Sequence, residues 1–203
     1  MNFRRLLFLL ATGFLLSGCL TSTNPFYADA DIFQDERILG DYREPPTADG
    51  FQEGFVVEPN NDQAGRYRLR YTENRYWMTF TATLFRVSGN TFLDIYPESD
   101  SGVYRDPGGP PTGTQILRGL TYQRLHLVAR ITMSDEGVGF SVVQRKELGV
   151  LVGRDPSLRQ FARGESLLLP MATTDLRKLL EKIGGDETVF PKPQKLQKPK
   201  PIK

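Results

Sequence analysis

The sequence predicts a mainly β protein, an antiparallel meander closing into a barrel, with one or two short helices near the C-terminus. Three observations carry that expectation. Apolar and polar residues alternate with a period of two through residues 66–96. Turn residues punctuate the stretch, Glu73-Asn74 and then Ser88-Gly89-Asn90, so successive strands fold back as hairpins. Helical spacing of apolar residues enters only after residue 155.

Taken in chain order, residues 38–43 and 51–58 are the first strand candidates, separated by "EPPTADG". Tyr67, Leu69 and Tyr71 then alternate with Arg66, Arg68 and Arg70, the mark of a half-buried strand. In the next strand Tyr76, Met78, Phe80, Ala82 and Leu84 share one face, and Thr79, Thr81 and Thr83 share the other. A third strand runs from Phe92 to Tyr96. Strands in this region are long for the typical five or six residues, which suits a curved sheet whose edges meet. Residues 99–119 are rich in Gly and Pro and read as a surface loop. Strands resume over 121–133 and 138–145, with a short one over 166–170.

Two helices are expected. "DPSLRQFARG" offers Asp155 as a cap, Pro156 at the first helical position and Gly164 as a stop. "TTDLRKLLEKIGG" carries an apolar stripe of Leu176, Leu179, Leu180 and Ile183, capped by Thr173 or Thr174 and ended by Gly184-Gly185. That stripe is expected to pack on the sheet or to plug one barrel end. The ending "FPKPQKLQKPKPIK" has too many prolines and too few apolar residues for a core, and reads as a disordered tail.

The N-terminus carries an address. Arg4 and Arg5 precede an apolar run over residues 6–16, followed by Ser17, Gly18 and the chain's one cysteine, Cys19. A basic start, a short apolar core and small residues at a cut site make a secretion signal. The run is about 16 Å long as a helix, short of a hydrocarbon core of about 30 Å. The organisation expected is therefore a signal over 1–18, a tether over 19–36, a barrel domain over 37–190 and a Lys/Pro tail over 191–203.

Leu16-Ser17-Gly18-Cys19 resembles the lipobox of bacterial lipoproteins. The resemblance implies that Cys19 is the lipid attachment point, since a thiolate is a good nucleophile towards a lipid donor. Several acyl chains hold stably where one does not. Leu20, in the place where aspartate would retain such a protein at the inner membrane, implies the outer membrane facing the periplasm. "GDYRE", "YWMTFTATLFRVSGNTFLDIYPES", "LHLVARI" and "TTDLRKLLEKIGGDETVF" together are similar to a group of uncharacterised bacterial lipoproteins over residues 38–190. The resemblance implies a lipocalin-like architecture, with Gly40-Asp41-Tyr42 an echo of the Gly-x-Trp opening of lipocalins.

Charge and composition limit the functions available. The whole chain is +2, and Arg4 and Arg5 account for it, so the mature side chains sum to zero. Lys192, Lys195, Lys198, Lys200 and Lys203 give the tail +5, which leaves an acidic body of −5. That distribution argues against a nucleic-acid partner. One cysteine excludes an internal disulfide and a paired-cysteine metal or redox motif, and one histidine excludes a His-rich metal site. No metal and no cofactor are expected.

Two function classes remain. In the first, the chain is a non-enzymatic envelope module. Tyr67, Tyr71, Tyr76, Phe80 and Phe92 either line a cavity for an apolar ligand or fill the core, or an envelope protein is the partner. The five tail lysines are candidates for contact with an anionic envelope polymer or lipid. In the second, the chain is a hydrolase of envelope material. Asp94, Glu98 and Asp100 supply carboxylates near one strand end, with or without His126 as a base. Solvated acids, Asp135 and Glu136 in a turn among them, and a hydrogen-bonded strand histidine are the ordinary alternatives.

Overall fold

The computed structural model describes residues 20–43, 45, 52–60, 64–74, 76–98, 124–134, 137–143, 145–163 and 166–195. The expected signal, Cys19, the whole Gly/Pro loop, Tyr122, Asp135, Glu136, Lys198, Lys200 and Lys203 lie outside them, as does Asp100.

The elements follow in order: β1 (Leu20–Ser22), β2 (Gly40–Asp41), β3 (Gln52–Pro59), β4 (Arg66–Asn74), β5 (Tyr76–Val87), β6 (Asn90–Pro97), β7 (His126–Ser134), β8 (Gly137–Val142), α1 (Arg145–Arg154), β9 (Ala162–Arg163), β10 (Ser166–Leu169), α2 (Thr173–Ile183) and β11 (Gln194–Lys195). Short 3-10 turns occupy Asp29–Asp31, Glu36–Ile38 and Pro156–Phe161. Among the described residues all eleven strands belong to one sheet, and three of them are only two residues long.

The meander from β3 to β8 is antiparallel throughout, as the alternation predicts. The β5–β6 hairpin turns through Ser88 and Gly89, both with positive φ, the geometry that matches the twist of flanking strands. The sheet as a whole is mixed, because β1 pairs parallel with β10 and antiparallel with β7. It curls into a half-barrel and stays open, where a closed barrel is expected from sequence. At one end β3 is flanked by β2; beyond β7 the sheet forks, one branch running through β8 to β11 and the other through β1 and β10 to β9. The 3-10 turn Glu36–Ile38 lies against both β7 and β8. Ile38 is buried in the inner core, and Phe33 and Leu39 pack against that core.

Each face of the sheet carries its own core. The inner face gathers Ile38, Val57, Tyr67, Leu69, Met78, Phe80, Leu84, Leu93, Leu127 and Ile131. The outer face gathers Phe26, Phe85, Phe92, Val128, Leu169 and Phe190 under α2. The α2 stripe, Leu176, Leu179, Leu180 and Ile183, is fully buried against this outer face and plugs no barrel end.

Other expectations change in detail. Residues 20–36 of the expected tether begin with a buried strand, and Phe26 is completely covered. Helix α1 arises where a strand was expected to end, and "DPSLRQF" forms a 3-10 turn rather than an α-helix. Asp155 still caps it, accepting from the Ser157 N–H and hydroxyl. Ala172, not Thr173 or Thr174, is the N-cap of α2. The tail begins in order, since Gln194 and Lys195 pair with Phe140 and Gly139.

Candidate functional site

Strand alternation puts Phe92, Asp94 and Tyr96 of β6 on the outer face, together with His126, Val128 and Arg130 of β7. Asp94 faces Val128 across the ladder, so His126 stands on the diagonal, within side-chain reach. One Asp94 oxygen lies 2.7 Å from His126 Nδ1, and the other accepts the Phe26 N–H at 3.2 Å. Asp94 is 1% exposed. Burial pushes its carboxyl above the ordinary range, against the His126 hydrogen bond and charge and the Phe26 N–H, which hold it down.

The Tyr96 ring packs on the imidazole with centroids 4.4 Å apart. Tyr27 covers the pair's neighbourhood from the N-terminal segment, with its hydroxyl 3.3 Å from the Thr83 hydroxyl. Burial pushes the Tyr27 phenol up; the Thr83 hydrogen bond opposes that, and the Asp94 charge adds to it. The His126 ring is held through Nδ1, and its side chain is 12% exposed. Nearby hydroxyls are already engaged: Ser22 donates to Leu169 O, Thr81 to Glu98 and Thr83 to Tyr27.

Asp94 and Glu98 do not form a catalytic acid pair. Asp94 lies within β6 and Glu98 just past its end, four residues on, about 13 Å between Cα atoms for an extended chain. Glu98 is instead occupied by Thr81 and Arg68. Among the described residues no three His, Cys, Asp or Glu side chains gather as metal ligands.

The aromatic candidates divide between the two faces. Tyr67 and Phe80 are buried in the inner core, and Tyr71 packs against it. The Tyr67 hydroxyl donates to Asp35 O at 3.1 Å and accepts the Asp35 N–H at 2.8 Å. Phe92 does not join them. It lies on the outer face against Phe85 and Phe190, because it is an even-numbered neighbour of Asp94 rather than of Leu93. Tyr76 opens β5, and its side chain is outside the description. Of the tail lysines, Lys192 is exposed and Lys195 lies in β11.

Arg130 is the strongest polar feature that the sequence reading passed over. It is 8% exposed, and its guanidinium donates to Gly184 O at 3.1 Å and Phe190 O at 2.8 Å. Burial lowers its pKa. It answers the carbonyl end of α2, where a cation is favoured. Its signal was a lone arginine within "HLVARITM", on the face Val128 occupies.

These features define a class: an open β half-barrel packed on both faces, with a buried Asp–His pair where the N-terminal strand joins the meander. No family model, curated protein or solved structure matches the chain. No helix among the described residues is long and apolar enough to cross a membrane.

Proposed function

We propose that the chain is a lipid-anchored protein of the bacterial envelope, on the outer membrane facing the periplasm, and a non-enzymatic binding or structural module. The lipobox-like segment ending at Cys19 supports the anchor. One structural observation supports the module: the inner face of the half-barrel is packed with its own aromatic and aliphatic side chains, down to a Tyr67 hydroxyl bonded to backbone on both counts. A filled inner face favours a partner met on the outside over an apolar ligand held within. The tail supplies one such surface, since lysines near an anionic surface contribute about 1 kcal/mol each.

The anchor is tested by feeding cells an alkyne-labelled palmitate. Label on the wild type and none on Cys19→Ser supports the reading; label on both, or on neither, overturns it. The tail is tested by salt-sensitive binding to anionic vesicles. Truncation after Phe190 is expected to abolish that binding, and unchanged binding removes the tail from the proposal.

A second reading, hydrolysis of envelope material, is favoured by the 2.7 Å His126–Asp94 contact, which orients an imidazole as a base. In that case His126→Ala and Asp94→Asn each lower turnover of envelope glycan or peptide by at least 100-fold. Equal turnover in the variants eliminates it.

A further inference from the structure

The segment directly after Cys19 behaves as part of the body. Leu20, Thr21 and Ser22 are 1%, 4% and 0% exposed, and Phe26 is 0% exposed. Hydrogen bonds tie this segment to alternate residues along β10 and the entry to α2. Thr21 Oγ1 donates to Leu167 O at 3.3 Å, Ser22 Oγ to Leu169 O at 2.8 Å and Asn24 Nδ2 to Met171 O at 2.9 Å. Thr173 Oγ1 then donates to Pro25 O at 3.0 Å. The last fastening crosses to the sheet face, where the Phe26 N–H meets the Asp94 carboxylate that His126 holds.

We propose that residues 20–27 are a latch that mounts the folded body directly on the bilayer, and that the Asp94–His126 pair is its bolt. The proposal rests on the lipid-anchor reading of Cys19. A free segment over 19–36 would let the body range up to about 60 Å from the membrane. With β1 in the sheet, no free chain separates residue 19 from the body. The body is then held at one height and in one orientation, and its partner is a component at the membrane surface rather than one deep in the periplasm. β1 runs parallel to β10 and antiparallel to β7, so a pull on residue 19 along the strand loads both ladders together instead of peeling one bond at a time.

The test uses the full mature, acylated chain in phospholipid vesicles. Hydrogen exchange is read first. Amides of β1 and of Phe26 are expected to be protected within tenfold of those in β7. Free-peptide exchange in the segment, with β7 still protected, overturns the latch. The chain's one tryptophan, Trp77, then reports height by energy transfer to a dansyl lipid. Inserting sixteen Gly/Ser residues between Cys19 and Leu20 adds a mean span of about 20 Å. The transfer is expected to fall at least twofold. Unchanged transfer means that something else sets the height, and the mount is discarded. A chain isolated without the acyl mass overturns the anchor reading instead, a result distinct from either failure of the latch.

Discussion

Asp94 spends its charge inside the protein, and that has a consequence with a definite sign. Its folded pKa lies above the ordinary 3.8 because burial penalises the carboxylate. Between the two values the folded chain binds more protons than the unfolded one. The contribution of this group is therefore fully present below the ordinary pKa and is lost as pH rises through the folded value. Urea midpoints of the wild type and Asp94→Asn between about pH 4 and pH 7 check this. The wild type's advantage should be largest near pH 4 and shrink upward; a pH-independent difference would mean an unshifted carboxyl. Arg130 presents the converse case of a buried cation answered by carbonyls. Arg130→Met leaves Gly184 O and Phe190 O without that donor and should cost about 2–4 kcal/mol by urea unfolding. Arg130→Lys should recover part of the loss, because one ammonium can reach at least one carbonyl.

At the scale of elements, legibility followed the range of the forces involved. The strands from β4 to β6 and helix α2 were readable, since a period of two or of 3.6 is written in adjacent residues. α1 was not, because Gly149 and Gly153 dilute its pattern and weaken its intrinsic preference. β1 could not be read at all. "LTS" has no periodicity to offer, and its partner Leu167 lies 147 residues away from Leu20. The Asp94–His126 pair was half readable: both residues stood out, but their contact depends on the β6–β7 register across a 28-residue connection that spacing does not determine. Phe92 was misplaced for the opposite reason, since its aromatic character suggested the inner face while its parity with Asp94 put it outside. The end of α2 shows how tightly these elements fit. Gly184 has an ordinary helical φ of −62°, so its smallness serves contact rather than turning. A Cβ there would lie 2.6 Å from both Phe92 Cζ and Leu180 O. Gly184→Ala should destabilise by about 1–3 kcal/mol, measured by denaturant titration, since backbone cannot yield as a side-chain tip can.

The whole molecule manages an open sheet. An open sheet has edges, and an edge strand offers unpaired N–H and C=O groups to any other chain. The long strands β3 and β8 are each covered from within. β2 lies along β3, and Tyr42 N–H continues that cover by donating to Phe55 O at 2.9 Å. β11 lies along β8, held there because Arg130 and the Ser141 hydroxyl grip the chain at Phe190 and Pro191 just before it. The lysine tail therefore leaves from a fixed point, and its first residues guard the sheet. Removing residues 194–203 should spare both cores, since Phe190 and the α2 stripe remain. It should also bare the β8 edge at Gly139 and Phe140. The expected result is a chain that keeps the wild-type circular dichroism spectrum and thermal midpoint at low concentration, yet shows concentration-dependent dimers in sedimentation velocity where the wild type stays monomeric. Two observations would count against the guard. A truncated chain that remains monomeric means that the β8 edge needs no cover. A chain that dimerises only after losing its folded spectrum has associated through unfolding rather than through the edge.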